Sequence, residues 1–434
     1  MILKQLIFYL SIYITNANNI YISDFDALTD GESTIYAAYQ NGIAFNNAVK
    51  SASKNDVIIL RNNETIYYIP NTNDGSEPYL SNLQNITIKF NGEIYLHNNN
   101  SAWPLNPNNE YYNAFDIRDS KNIIITGNGK IYGQGNMWWT DFMLGKIVRQ
   151  RPSIINIENL VNLLIENLKF YNSPRFNIYC KNILNAEIRY LNIIAKLRNG
   201  NMPMLPLNTD GVDVAGKNIY IHHLNISNYD DVVAIKPLKN NEPPLDGDIL
   251  NCSENILVEH INIILGVGLS IGSVSSNKDS CVRNVTFQNI NAKNPIKLIY
   301  IKTGGLDNAE SINGLIENIT YQNIYAHAPI MWPIYIGPQQ QKEPDGTGDG
   351  FWPDTNPFVK IRNVILKNII VKDLLVEPGV LRCNLTNPCN NIIFKNLSIY
   401  GLKKKYICDG SNTINGKYDK LTNPPPLDCG FVNE

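Results

Sequence analysis

Long hydrophobic runs are scarce in this chain of 434 residues. After the first seventeen positions no apolar segment approaches the roughly 20 residues that a membrane-crossing helix needs, so no membrane partner is expected. An excess of charge is missing as well. Lys and Arg number 37 against 39 Asp and Glu, a net charge of −2. The basic residues are scattered, which leaves no stripe for a phosphate backbone, and no nucleic-acid partner is expected. Histidine is rare, and none of the five stands at ligand spacing with cysteine or carboxylates. No metal and no cofactor are therefore expected. Helical periodicity is almost absent. The one good pattern runs from about Ser33 to Ala52, where Ala37, Ala38, Ile43, Ala44 and Ala48 share an apolar side.

The early apolar run has its own meaning. Lys4 precedes Leu6-Ile7-Phe8-Tyr9-Leu10-Ser11-Ile12-Tyr13-Ile14, and the small Ala17 follows shortly after. A basic start, a short hydrophobic stretch and a small residue read as a secretory signal over 1–17. The remainder, 18–434, is expected to be one secreted, monomeric domain. Seven cysteines suit an oxidising compartment and leave one over. Cys383 and Cys389 are near enough to close a small loop, with Cys408–Cys429 and Cys252–Cys281 as further candidate pairs and Cys180 left free. Sequence alone leaves that connectivity open. Glycosylation-type tripeptides start at Asn63, Asn85, Asn225, Asn284, Asn318, Asn384 and Asn396.

One phrase recurs: a turn-forming Asn followed by a short, β-branched, alternating run. It appears as Lys121-Asn122-Ile-Ile-Ile, Val161-Asn162-Leu-Leu-Ile, Lys181-Asn182-Ile-Leu, Lys217-Asn218-Ile-Tyr-Ile and Glu254-Asn255-Ile-Leu-Val. It continues as Arg283-Asn284-Val-Thr-Phe, Glu317-Asn318-Ile-Thr-Tyr, Arg362-Asn363-Val-Ile-Leu and Asn390-Asn391-Ile-Ile-Phe. Spacings of about twenty to forty residues signal a solenoid. Runs so short and rich in Ile, Val and Tyr favour strands over helices. The expected fold is all-β, a single right-handed parallel β-helix, with a globular sandwich as the alternative. Its open end needs a cover, which the helix within 18–55 supplies. The tail over 402–434 breaks the repeat and is expected to be an irregular, disulfide-tied coil.

Acids enter the repeat on one stretch. Asn208-Thr-Asp210-Gly is followed by Asp230-Asp231, then Gly266-Val267-Gly268-Leu-Ser270-Ile-Gly272, then Tyr300-Ile301-Lys302. Asp210 and Asp231 lie about one coil apart, and equivalent positions on stacked rungs sit about 4.8 Å apart. Close carboxylates repel when both ionise, which raises one pKa and places an acid beside a base. Glycosidic hydrolysis needs that combination. Asp beside Gly211 and Asn228 is also common in plain turns, and Asp230 and Asp231 can share a face only if the chain bulges or a strand ends there.

These residues resemble the polygalacturonase family, glycoside hydrolase family 28. The stretch Gly127-Asn-Gly-Lys-Ile-Tyr-Gly133-Gln-Gly-Asn-Met-Trp138-Trp139, with Arg151-Pro152 and Asn172-Ser-Pro174, is similar to the same family. The resemblance implies that Asp230 protonates the leaving oxygen while Asp210 and Asp231 activate water, with inversion at the anomeric carbon. It also implies that Lys302 pairs with a uronate carboxylate and Asn208 binds sugar hydroxyls, the partner being a pectic polysaccharide. Tyr300 and Gly268, in the same motifs, join the substrate-binding set. Two positions depart from the pattern: the usual Gly-His-Gly is Gly266-Val267-Gly268, and the usual Arg-Ile-Lys is Tyr300-Ile301-Lys302. A decorated or mixed pectin fits this loss better than bare polygalacturonate. Pectate-lyase chemistry with calcium on the acids, and a non-catalytic carbohydrate-binding β-helix, are the alternatives. Trp138, Trp139, Trp332, Tyr335 and Trp352 offer faces for pyranose rings, with core burial the other reading for each Trp. The last three fall in or near 328–357, expected to be a long loop. His222 and His223 are expected to be ordinary strand residues.

Overall fold

Asparagine can occupy the left-handed backbone region at low cost, because its short amide bonds locally where other side chains clash. Eleven asparagines use that property at one corner of successive coils. From Asn55 through Asn85, Asn122, Asn162, Asn185, Asn218, Asn255, Asn284, Asn318 and Asn363 to Asn391, each has a φ between 54° and 79°. Each amide Nδ2 donates to the Oδ1 of the preceding coil, at 2.6–3.4 Å, in an unbroken ladder. A shorter ladder joins Asn289, Asn323, Asn368 and Asn396 at 2.9–3.3 Å. The recurrent phrase is therefore the corner of a coil. Only the copy at Lys181-Asn182 is out of step, since Asn185 holds the ladder position and Asn182 bonds Asn159 instead. The tripeptides at Asn85, Asn284, Asn318 and Asn396 fall on these ladders.

The computed structural model describes residues 17–197, 206–238, 242–276, 280–305, 314–340, 355–408, 413–425 and 427–434. All of the expected signal except Ala17, together with Trp352, lies outside the described residues. Strands make up 52% of the structure, and among the described residues every pairing between strands is parallel. Long strands such as Val212–Ser227, Ser253–Leu265 and Cys281–Lys293 bend at the asparagine corners. This is the parallel β-helix that the repeat predicts.

Alternation places the apolar residues inside. Ile178, Val212, Val233, Leu269, Ile299 and Ile334 follow one another on successive rungs, all fully buried. Each such burial contributes about 1.5–3 kcal/mol, but only when the next rung covers it. The positions between them point outward and form a second column: Tyr179, Asp213, Ala234, Ser270, Tyr300, Tyr335 and Val380.

The N-terminal end is closed by the helix Ile35–Ser51, capped where Thr34 Oγ1 accepts from the Ala37 N–H at 3.1 Å. Its Phe45 packs on Tyr68, Phe90 and Phe115. Three expectations need correction. A second helix, Gly135–Met143, was hidden because its face is set by Trp138 and Trp139 rather than by a regular stripe. The tail is not a coil: Ile414–Leu421 and Phe431–Asn433 add parallel strands to the stack, because Ile414 and Phe431 keep filling the core. Within 328–357, Ile334–Gln339 is a strand of the next rung. Cys252–Cys281, Cys383–Cys389 and Cys408–Cys429 are joined, and Cys180 is buried and free.

The ladder makes a direct prediction. Asn218 donates to Asn185 and accepts from Asn255, at a φ of 59°. Asn218→Gly should lose only the ladder bonds, roughly 1–3 kcal/mol. Asn218→Ala should lose about 1–2 kcal/mol more, because a Cβ is strained there. Denaturant unfolding of both variants measures the difference.

Candidate active site

Asp230 and Asp231 lie in the short turn between the strands Val212–Ser227 and Val233–Ile235, not within a strand. This is how adjacent residues come to face one cleft. Asn228 pins the turn from beneath: its Nδ2 donates to the carbonyls of Thr209 and Asp231 at 3.1 and 2.8 Å. The Gly211 N–H donates to the Asp231 carbonyl at 2.9 Å, which fixes Asp210 one coil away. Gly266 and Gly268 allow the next rung to close on this turn. A Cβ at Gly266, with φ 149°, would meet Asn228 Oδ1 at 2.3 Å, and one at Gly268, with φ 76°, would meet the Leu298 carbonyl at 2.4 Å. Gly268 thus acts through its backbone.

Asp210, Asp230 and Asp231 each present an oxygen within 4.8 Å of the others, and all three are buried. Their partners differ. Asp231 Oδ1 accepts from Ser270 Oγ at 2.5 Å, and its Oδ2 faces Lys302 Nζ at 3.2 Å and Lys236 Nζ at 3.5 Å. Among the described residues, Asp230 accepts only backbone N–H groups, from Asn208 at 2.6 Å and Asp231 at 2.9 Å. Asp210 Oδ1 is buried without a partner.

These surroundings drive the carboxyls apart. Burial pushes Asp231 up, but Lys302, Lys236 and Ser270 outweigh it and hold its pKa below the ordinary value. Burial and the neighbouring Asp231 charge push Asp230 up, against the pull of Lys302 and its two N–H donors. Asp210 is raised well above the ordinary value by burial and then by Asp213, Asp230 and Asp231. The cluster therefore sets two carboxyls displaced towards keeping a proton, Asp210 and Asp230, beside one displaced towards ionisation, Asp231. The three oxygens are also close enough for one cation to bridge, although two ammonium groups already face Asp231.

Beyond the acids, the outward column carries an aromatic cluster. Tyr300 packs edge-on against Tyr335 at 5.1 Å, with Val380, Val267 and Trp332 around them. Lys297 Nζ lies 3.9 Å, and Lys302 Nζ 4.3 Å, from the centre of the Tyr300 ring. Trp332 Nε1 donates to Glu377 at 3.1 Å. Val267 and Tyr300, the two departures from the motif, therefore belong to one apolar cluster.

Other expected residues lie elsewhere. Trp138 and Trp139 are fully buried; Trp139 Nε1 donates to the Ser173 and Pro174 carbonyls at 3.1 and 3.2 Å. Neither offers a face to a sugar. His222 is buried, bonded to Glu187 at 3.0 Å and stacked on Tyr220, while His223 is exposed at a corner with φ 56°. Neither joins the acids. Asp213, Lys236 and Lys297 were missed. Asp213 was legible: Val212-Asp213-Val214 alternates, so the acid had to face outward. Burial drives its pKa up to about 6 even beside Lys236.

The outer face of a parallel β-helix here gathers polarised carboxyls beside lysines, an arrangement chemically suited to proton transfer. A sequence model of Glycosyl hydrolases family 28 matches residues 68–417, and the chain belongs to that family. It is 28% identical over 301 residues to "Polygalacturonase-2" of Solanum lycopersicum, covering 66% of this chain and 57% of that protein. It is also 28% identical over 262 residues to "Probable endo-xylogalacturonan hydrolase A" of Aspergillus oryzae, covering 60% and 58%. The chain thus spans little more than half the length of the curated relatives it matches. Among solved structures, the endo-xylogalacturonan hydrolase from Aspergillus tubingensis aligns with a TM-score of 0.66 and 16% identity, over 96% of this chain and 98% of that one. The shared fold is the right-handed parallel β-helix.

The raised pKa of Asp210 carries a stability consequence. A carboxyl whose folded pKa is raised favours the fold below its unfolded pKa and loses that contribution as pH rises through the folded value. Asp210→Asn, which cannot ionise, should therefore melt at a higher temperature than the parent chain at pH 7. The difference should vanish below about pH 4, where the unfolded carboxyl is protonated too. Calorimetry at the two pH values checks this.

Proposed function

We propose that the chain is a secreted hydrolase cleaving glycosidic bonds in a pectic polysaccharide. The observation that carries this reading is the opposite displacement of two adjacent buried carboxyls, Asp230 upward and Asp231 downward. Asp230 holds a proton to give to the leaving oxygen. Asp231 is ionised and takes a proton from water, whose hydroxyl adds to the anomeric carbon. Asp210, within reach of both, completes the water's cradle. Inversion is the expected outcome, because water rather than a carboxylate attacks the anomeric carbon. The separation of these carboxyls is shorter than the roughly 6.5–9.5 Å usual for inverting pairs.

Lys302 has three N–H donors, of which Asp231 takes one, so it can also face a uronate carboxylate. Asn208 lines the acid side, its N–H already committed to Asp230. Tyr300 and Tyr335 are buried and offer no open ring face, so only the part-exposed Trp332 could meet a sugar. The cluster makes this side of the site less polar than an arginine would, which favours a decorated or mixed backbone. Bare polygalacturonate should bind more weakly by about ten- to a hundred-fold, the worth of one charge-assisted contact. The single dominant core running from the cap into the tail supports one domain over 18–434. Three disulfides support an oxidising, extracellular setting. No described helix is long and apolar enough to cross a membrane.

The test is reducing-end release from a panel of pectic polymers, with and without chelator. The expected result is chelator-insensitive hydrolysis, best on decorated backbones, with the inverted anomer seen first by NMR. Asp230→Asn should fold normally and lose at least about a hundred-fold in turnover. A second reading, lyase chemistry through a cation on the three acids, predicts loss of activity with chelator and unsaturated products absorbing in the ultraviolet.

A further inference from the structure

Among the described residues, two guanidinium groups near the acids make no direct ion pair with a carboxylate. Arg151 is 3% exposed; its Nη2 donates to the Leu207 carbonyl at 2.7 Å, and its Nε is buried with no acceptor. Arg175, on the next rung, also has a buried Nε with no acceptor. Among the described residues neither makes an ion pair. Each instead lies over a ring, Arg151 over Phe142 at 4.6 Å and Arg175 over Phe176 at 4.3 Å. This is not the habit of the chain. Arg118 closes on Asp116 at 2.8 Å and Arg189 on Glu166 at 2.7 Å, and Arg283 and Arg362 are paired with Glu254 and Glu317.

Both groups line one cavity of about 210 Å³. Three acids share it, and two are already engaged, Asp116 with Arg118 and Glu158 with Lys181. Glu110, the third, makes among the described residues only a 3.5 Å contact from Asn106 through its carboxylate. Arg175 also lines the adjoining cavity of about 460 Å³, with Lys236 and Asp213. It stands two residues before Asn177, whose N–H and Nδ2 both donate to the Asp210 carbonyl at 2.9 Å. The arginines therefore sit on the N-terminal side of the acids, whereas Lys297 and Lys302 come from rungs on the C-terminal side.

Two neighbouring guanidinium groups largely withdrawn from water, with acids near but none in direct contact among the described residues, are costly unless a ligand supplies an anion. Their planar forks match a carboxylate in two-point fashion, better than an ammonium does. We infer that Arg151 and Arg175 form a second carboxylate subsite, which takes an acidic sugar of the substrate chain on the N-terminal side of the acids. This rests on the reading of the chain as a pectic hydrolase. The cleft then grips a polyanion at both ends: by lysines beyond the bond that is cut and by arginines before it.

The experiment uses the full chain carrying Asp230→Asn, so that ligands survive, and titrates it calorimetrically with galacturonate oligomers of increasing length. Carboxyl-reduced oligomers of the same lengths are the neutral probes. Adding Arg175→Gln should weaken the long acidic oligomers by roughly ten- to a hundred-fold and leave the neutral ones within about two-fold. The shortest acidic oligomers, which do not reach the pair, should bind both proteins alike. Arg175→Lys should recover only part of the loss, since an ammonium lacks the fork. Arg175 is the primary target because Arg151 is more deeply buried and its replacement endangers the fold. Unchanged binding of long acidic oligomers to Arg175→Gln overturns the subsite, as does an equal loss for neutral ones. Failure of the parent reading looks different: the unmodified chain would release no reducing ends from any pectic polymer, whatever Arg175 does.

Discussion

The corner asparagine is the constraint on which the rest of the molecule depends. A parallel stack has no hairpins to fix its register, so something else must hold each coil over the last. Here a residue that tolerates a left-handed φ turns the chain, and its amide bonds the same residue one coil below. With the corner fixed, strand alternation dictates the rest. Isoleucine and valine fall inward, while the residues between them line up outside at about 4.8 Å intervals. Asp213, Ser270 and Tyr300, far apart in sequence, thereby become one column beside the acid-bearing turns.

That packing produces the electrostatics. Burial alone would raise all three acids, and only unequal partners make them differ. Ser270 and Lys302 reach Asp231 from later rungs, so its ionisation depends on the stack. Among the described residues Asp230 receives backbone donors only, and Asp210 leaves one oxygen without any. Val267 and Tyr300 also make sense together. An apolar residue at one position packs against an aromatic at the other, and the two lysines beside the Tyr300 ring keep positive charge at that end of the cleft.

The fold was largely legible because one short phrase encodes both the corner and the strand. The acid cluster was legible for the same reason, since coil spacing converts sequence distance into spatial proximity. What escaped had a physical cause. Trp138 and Trp139 looked like sugar platforms, but the Trp139 indole lies against Ser173 and Pro174 and the Trp138 indole packs on Trp103 and Tyr111. The tail looked irregular because Lys and Pro interrupt it, yet Ile414 and Phe431 are enough to continue the core. Lys236 and Lys297 carry no motif, so only the folded geometry shows which acid or ring they face.

The central claim is that Lys302 helps set the protonation of the acid pair, and the pH dependence of kcat/KM tests it most directly. Lys302 lowers the pKa of both Asp231 and Asp230. Lys302→Met should therefore raise both, as macroscopic values of the coupled pair. The acid limb requires ionised Asp231 and the alkaline limb requires protonated Asp230, so both limbs should move to higher pH. A profile that keeps its position while falling in height, or one that moves to lower pH, would contradict the account.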